Sequence, residues 1–335
     1  MTQLWKSGNN GGIERLRNDM NSLGRKGIPF VWGVSFDLDR YFLLDDPMDR
    51  TGVMWHVNGT GNCKDDPGHY SGDVSMSVRN RYDEGAYREM FHVVRKGLLR
   101  GDSFLTNLTV ATQVECSCSL KGIFLKSRAP YRLLIGDEFV CFSPETFVRI
   151  SGRRISTFPM KGTSPCTSDP DGRILLADYK ELCEHQTIVD LMRNDLNIVA
   201  DEVSVVRFRY LEQIHTVSGR INQTSSEISG ILHPGSERNF GDILLPLLPA
   251  GSISGAPKEA TVKIIHEAET VPRGWYTGVF GYFDGAVMDS AVMIRCIQRD
   301  PSGTLRFHSG GGVTVNSDPL AEYLEISDKI YLTRK

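Results

Sequence analysis

YRLLIGDEFVCFSPETFVRISGRRISTFPMKGT, running from Tyr131 to Thr163, decides the fold class. Tyr131 to Ile135 and Phe139 to Phe142 are short apolar runs flanking Gly136-Asp137, and Thr146 to Ile150 and Ile155 to Phe158 flank Ser151-Gly152. Runs of this length separated by turn residues predict two successive β-hairpins. Upstream, Phe30 to Asp37 and Tyr41 to Leu44 around Leu38-Asp39-Arg40 predict a third, within a strand region at about 28–80. Downstream, 277–283, 286–298 and 304–315 read as strands, with turns at Asp284-Gly285 and Pro301-Ser302-Gly303. Helical periodicity interrupts them at 80–100, closed by Gly101, at about 173–194 after Ser168-Asp169-Pro170, and from Ser317-Asp318-Pro319 onward, where a capping residue precedes Pro. Many antiparallel strands with inserted helices predict an α+β fold of two packed antiparallel sheets with helices outside. No linker, repeat or low-complexity run marks a boundary, so 1–335 is expected to be one domain.

Composition excludes several classes. The chain has 335 residues, 40% hydrophobic and 24% charged, with 38 Lys and Arg against 41 Asp and Glu, which is globular and not disordered. No basic block provides a nucleic-acid footprint, and no apolar run approaches the ~20 residues that span a bilayer. MTQLWKSGNNGG carries no apolar signal core, so a cytoplasmic location is expected. The 7 Cys include one CxC, Cys116 and Cys118, and no CxxC, and are read as free thiols.

Glu181 and Glu184 are spaced i, i+3 on the second helix, and Glu322 and Glu325 repeat the spacing on the third. Such pairs line one helical face, as solvated carboxylates or as a buried set needing a cation. Because Glu181, Glu184, Ile188 and Leu191 fall on one stripe, and like charges in an apolar setting repel, a hard ion held by oxygen alone, Mg²⁺, is the chemistry that matches. Lys161 lies between Pro159 and Gly162, as a solvated lysine at a turn or as a desolvated amine fit for nucleophilic work. Glu145 begins the strand whose hairpin partner leads to Lys161, a placement that can join acid to amine. Arg295 on a long strand and Lys329 one turn beyond Glu325 suit either a substrate carboxylate or an ordinary ion pair. Gly251-Ser252-Ile253-Ser254-Gly255 has Ile at its centre and is not a hydrolase elbow, and Ser309-Gly310-Gly311-Gly312 opens no helix and is not a phosphate loop.

Several blocks together resemble the chorismate-utilising enzymes. They are Gly101-Asp102-Ser103-Phe104, Ser143-Pro144-Glu145, Pro159-Met160-Lys161-Gly162-Thr163, Lys180-Glu181-Leu182-Cys183-Glu184-His185, Val189 to Asp195, His215-Thr216-Val217-Ser218, Gly251 to Lys258, Gly278-Val279-Phe280-Gly281-Tyr282 and Gly310-Gly311-Gly312, in the family's order over most of the chain. Within that family, aminodeoxychorismate-forming members resemble this chain in having Lys before Gly162-Thr163, where anthranilate, isochorismate and salicylate synthases have Ala. The water-using members place Lys where this chain has Leu105, and many relatives have Gln there.

The resemblance implies a chorismate substrate, a Mg²⁺ cofactor on Glu184 and Glu325 directly with Glu181 and Glu322 through water, Lys161 as nucleophile and Glu145 as acid. It implies substrate contacts at Gly162, Thr163, His215, Ser252, Tyr276, Arg295, Gly310, Gly312 and Lys329. Ser252 stands where anthranilate enzymes have Thr and keeps the hydroxyl. It further implies ammonia supplied by a separate glutamine amidotransferase subunit, because no glutaminase block is present in the sequence. The N-terminal part is much shorter than in members whose extra segment helps to form a tryptophan-binding pocket. The competing expectations are an anthranilate or isochorismate synthase and a non-catalytic binding subunit of the same fold.

Overall fold

The computed structural model describes residues 4–49, 51–63, 74–216, 219–330 and 332. Its strands form two sheets in which every described pairing is antiparallel. The centre of the first runs Arg40–Leu44, Phe30–Val34, Val279–Phe283, Val287–Val292, Thr146–Ser151, Arg154–Thr157, Gly219–Leu232 and Met160–Pro165, with Ala200–Thr216 also pairing Gly219–Leu232. The second contains Leu105–Cys116, Leu305–Val313, Cys296–Arg299, Phe139–Ser143, Tyr131–Ile135 and Val53–Val57 in that order.

Apolar burial explains the layering. Val31, Phe42 and Phe280 from the first sheet meet Trp55, Leu133, Phe139 and Cys296 from the second in one cluster between the sheets. The other face of the first sheet presents Phe30, Trp32 and Phe147 to Leu16, Met20, Val189 and Phe240 of helices Gly12–Lys26, Tyr179–Leu196 and Phe240–Leu244. Phe30–Val34 is buried at every position because it is covered on both faces. Helices Glu84–Arg100, Lys258–Ala268 and Pro319–Asp328 pack outside the second sheet through Tyr87, Val94, Ile264 and Ile326. The expected α+β class with two packed antiparallel sheets and outer helices is the observed one.

The hairpins at Tyr131–Ser143 and Thr146–Thr157 form as expected, but they belong to different sheets, and the chain crosses between them at Pro144 and Glu145. The expected single strand 286–298 is likewise two, Val287–Val292 in the first sheet and Cys296–Arg299 in the second. The switch at 293–295 puts Arg295 at φ +53°, a left-handed conformation that ends strand geometry. The expected helix at about 173–194 is broken at Asp178, which is extended and whose carboxylate accepts the Glu181 N–H, capping Tyr179–Leu196. Helix Gly12–Lys26 precedes the strand region expected at about 28–80, in a stretch for which no element was expected. Its Ile13, Leu16, Met20 and Leu23 recur at helical spacing behind a glycine-rich start that obscures the signal.

Candidate functional site

Strand Met160–Pro165 slips register against Gly219–Leu232 between Met160 and Thr163, so an extra residue bulges at Lys161 and Gly162. Gly162 has φ +86°, and a Cβ there would stand 2.6 Å from Glu181 Oε2, so the bulge and the acidic helix leave room for hydrogen alone. The Thr224 hydroxyl donates to the Lys161 carbonyl and fixes the bulge. Lys161 Nζ then reaches Glu184 Oε2 at 2.7 Å, while Lys180 approaches Glu184 Oε1 at 3.7 Å. Burial works to lower the Lys161 pKa, but the charge and hydrogen bond of Glu184, helped by Glu325 and Glu181, outweigh it and the net shift is upward. Between burial and acidic neighbours, the carboxylates win and the amine is held charged.

Helix Pro319–Asp328, capped by Asp318 with Pro at its first position, presents the other pair. Glu322 is buried over the glycine strand, its Oε2 lying 3.3 Å from where a Gly311 Cβ would be. Lys329 Nζ holds Glu325 Oε1 at 2.8 Å and donates to the Gly310 carbonyl at 3.0 Å. Burial pushes the Glu181 and Glu322 carboxyls up. For Glu325 burial acts in the same direction, but Lys329 overrides it and the carboxyl sits below its usual range. Lys329 itself is lowered by burial. Both Glu pairs therefore interact with Lys161, and the two helices and the strand bulge bring four carboxylates and three lysines into one cluster.

The second half of the site forms where the chain changes sheets. Glu145 Oε1 accepts a hydrogen bond from Ser252 Oγ at 2.7 Å, and Ser252 sits on the short helix Gly251–Ser254. Burial pushes the Glu145 carboxyl up, against Ser252 and the Arg295 charge, which favours the protonated acid. Arg295, at the other crossing, also acts on Lys329 and Tyr276. Tyr276 is buried and stacks on His308, with centroids 5.2 Å apart. Gly310 and Gly312 pair with Thr109 and Asn107 inside strand Leu305–Val313. The Leu105 side chain lies against Gly312, 3.1 Å from where its Cβ would be.

The sequence expectations map unevenly onto this geometry. Lys161, Gly162, Glu181, Glu184, Glu322, Glu325 and Lys329 gather in the acidic half, and Glu145, Ser252 and Arg295 at the crossings. The hairpin does not make Glu145 a partner of Lys161: the amine takes Glu184 and the acid takes Ser252. The Ser252 hydroxyl, expected as a substrate contact, is turned to Glu145. Thr163 is exposed beside Gln223. His215 falls near the end of Ala200–Thr216, and its side chain lies outside the described residues.

Among the described residues no three His, Cys, Asp or Glu side chains are gathered as a ready metal-ligand set. The donors nevertheless suit a hard dication. All are carboxylate oxygens, Glu181 Oε2 is buried without a hydrogen-bond partner, and Lys161 and Lys329 already show that the cluster draws positive charge. Sequence reasoning passed over the supports. Asp195, on the helix of Glu181 and Glu184, pairs with Lys258 at 3.2 Å, and Arg273 pairs with Glu269 at 2.6 Å in the interior. The i, i+4 spacing of Glu269 and Arg273 was the available signal.

The architecture is shared with solved chorismate chemistry enzymes. MenF, the menaquinone-specific isochorismate synthase of Escherichia coli, superposes with a TM-score of 0.73 over 95% of this chain and 81% of its own, at 17% identity, a likeness of fold alone. Residues 62–334 match the model of the chorismate binding enzyme family. An "Uncharacterized PabA-like protein" of Haemophilus influenzae is 43% identical over 315 residues, covering 93% of this chain and 94% of that one. Anthranilate synthase component 1 of Arthrobacter globiformis is 32% identical over 278 residues, covering 77% of this chain but 51% of its own length, so the chain spans about half of that relative. The chain belongs to the chorismate-binding enzyme family. No helix among its described residues is long and apolar enough to cross a membrane.

Proposed function

We propose that this chain is component I of an aminodeoxychorismate synthase, converting chorismate and ammonia to 4-amino-4-deoxychorismate, the precursor of p-aminobenzoate. The observation that carries the reading is Lys161: a bulge aims its amine into the acidic cluster, at the position where relatives with other chemistries resemble one another in having Ala. The PabA-like name of the Haemophilus relative supports the same direction.

Lys161 Nζ gives up its proton to the Glu184 carboxylate beside it and attacks C2 of chorismate. Both conjugated ring double bonds shift and the C4 hydroxyl departs as water, protonated by Glu145, whose raised pKa keeps an acid available. Ammonia then attacks C4 and passes a proton to the ionised Glu145, the double bonds return to their original positions, and the Lys161 amine is expelled from C2, recovering its proton from Glu184. Arg295 and Lys329 offer positive charge to substrate carboxylates, and the glycines at 310 and 312 allow close approach. Glu184 and Glu325 directly, with Glu181 and Glu322 through water, would hold Mg²⁺, which would supply positive charge to anchor the ring carboxylate and offset the cluster. Ammonia comes from a separate glutaminase subunit, and the component 1 naming of the Arthrobacter relative fits a chain that works with a second one. The seven free thiols suit a reducing cytoplasm.

The test is product identification after incubation with chorismate, MgCl₂ and ammonium chloride. The expected product is 4-amino-4-deoxychorismate, with glutamine alone supporting no turnover by the isolated chain. Anthranilate or isochorismate as product overturns the reading, and no conversion under any of these conditions favours the non-catalytic alternative.

A further inference from the structure

Arg273 is 2% exposed, and all five of its N–H donors have protein partners. Nε and Nη2 hold the two oxygens of Glu269 at 2.8 and 2.6 Å. Nη1 donates to the Ile253 carbonyl at 2.9 Å and to Thr277 Oγ1 at 3.3 Å, and Nη2 also donates to the Asn107 carbonyl at 2.7 Å. The guanidinium lies over the Phe36 ring, 4.4 Å from its centroid. Glu269 Oε1 in turn accepts the Thr109 N–H at 2.9 Å.

These partners belong to segments that carry the site. Ile253 follows Ser252 in the helix Gly251–Ser254, Asn107 is the register partner of Gly312, and Thr109 is that of Gly310. A helix of four residues has no stability of its own, so the direction of the Ser252 side chain depends on what holds that turn. At its start Asp195 accepts the Gly251 N–H, and at Ile253 the anchor is Arg273.

We propose that Arg273 is a positioning residue of this site: its guanidinium locks the Ser252 turn against the glycine strand and thereby aims the hydrogen bond from Ser252 to Glu145. Arg273 has Glu269, Ile253, Thr277 and Asn107 as its hydrogen-bond partners, and Glu145 is not among them. Its effect passes through Ser252, which is why a planar, five-donor group is required where a lysine of equal charge would satisfy only part of the set. The role of Glu145 as acid rests on the function proposed above, whereas the coupling of Arg273 to Glu145 does not.

The groups facing Glu145 are the Ser252 hydroxyl from the turn and Arg295 from the sheet crossing. Because the Ser252 bond stabilises the ionised carboxyl, its loss raises the pH at which Glu145 titrates. Infrared titration of the carboxylic acid band that disappears in Glu145→Gln reads this directly, without substrate. Ser252→Ala and Arg273→Lys are each expected to move the midpoint upward by a similar amount, and the double variant no further than either alone. In the ammonium-dependent assay Arg273→Lys is expected to lower kcat about tenfold or more with KM changed less than about twofold, because approach geometry and not binding is lost. Thermal melting confirms the fold of each variant. If Arg273→Lys does not fold, Glu269→Gln, which keeps side-chain shape and loosens Arg273 from one side, is expected to give a smaller shift in the same direction. A midpoint equal to wild type in the folded Arg273 or Glu269 variant, or shifts that add in the double variant, overturns the proposal. A correct coupling with a product other than aminodeoxychorismate instead breaks only the function reading.

Discussion

The two halves of the site are built on opposite principles. In the acidic half the charges hang from helix faces and a strand bulge and, apart from the buried Glu322, remain partly in solvent: the side chains of Lys161 and Glu184 are 26% and 16% exposed, those of Lys329 and Glu325 27% and 47%. Their partners are one another, so each can change partner without unmaking the fold. In the crossing half Glu145 and Ser252 are held by segments pinned through the Arg273 and Glu269 pair, whose side chains are 2% and 5% exposed. The contrast teaches that this chain keeps its ion-exchanging groups adjustable and its proposed acid fixed. On the proposed function the first would need room for a cation and substrate, whereas a proton donor depends on direction.

The largest effect that can break this comparison comes from Lys161→Ala. Turnover to aminodeoxychorismate is expected to fall to background, with the variant folded but melting somewhat lower, since Glu184 loses its 2.7 Å partner and the carboxylates lose a neutralising charge. Product analysis by mass spectrometry checks it, and intact-mass measurement during wild-type turnover should reveal a chorismate-derived adduct on Lys161. Undiminished product formation by the variant makes the adjustable half a bystander.

Next in size, Glu184→Gln and Glu325→Gln are expected to weaken Mg²⁺ binding, measured by calorimetry, more than Glu181→Gln or Glu322→Gln. Direct ligation exceeds a water-mediated contact. Chelation should stop wild-type turnover and added Mg²⁺ restore it. Equal effects at all four positions erase the assigned order.

Gly162→Ala sharpens the comparison from the backbone side. A methyl group at φ +86° costs roughly 1–2 kcal/mol in a left-handed conformation and meets Glu181 Oε2. The variant is expected to fold less stably, to bind Mg²⁺ more weakly and to lose activity about tenfold or more, as read by denaturant unfolding and calorimetry.

The smallest effect concerns pH. Burial pushes His308 down to about 3, with Arg273 and Arg306 acting in the same direction. An unfolded histidine titrates near 6.5, so the unfolded chain takes up the proton first. The contribution is fully present above about pH 6.5 and is lost as pH falls toward the folded value, by about 2 kcal/mol between pH 6.5 and 5. Urea unfolding at the two pH values, compared with His308→Phe, isolates it. A variant with the same acid sensitivity as wild type assigns the loss elsewhere.

Much of this molecule was legible before its structure. Turn residues at Gly136-Asp137 and Ser151-Gly152 located both central hairpins, because a hairpin is decided by neighbours in sequence. The Asp318-Pro319 capping signal located the helix of Glu322 and Glu325, helical periodicity located that of Glu181 and Glu184 but not its start at Asp178, and i, i+3 spacing put each pair on one face. The order of short motifs resembled one enzyme family, to which the chain belongs. Tertiary structure alone decided that the two hairpins lie in different sheets, since an alternating apolar pattern reports which face is buried and not against which partner. It also decided that Ser252 turns to Glu145 across 107 positions of sequence, and that Arg273 reaches Asn107 across 166. The charge of Lys161 is the clearest case: sequence placed an amine beside a turn, but its protonation follows from a balance between burial and three carboxylates that only folding brings within reach.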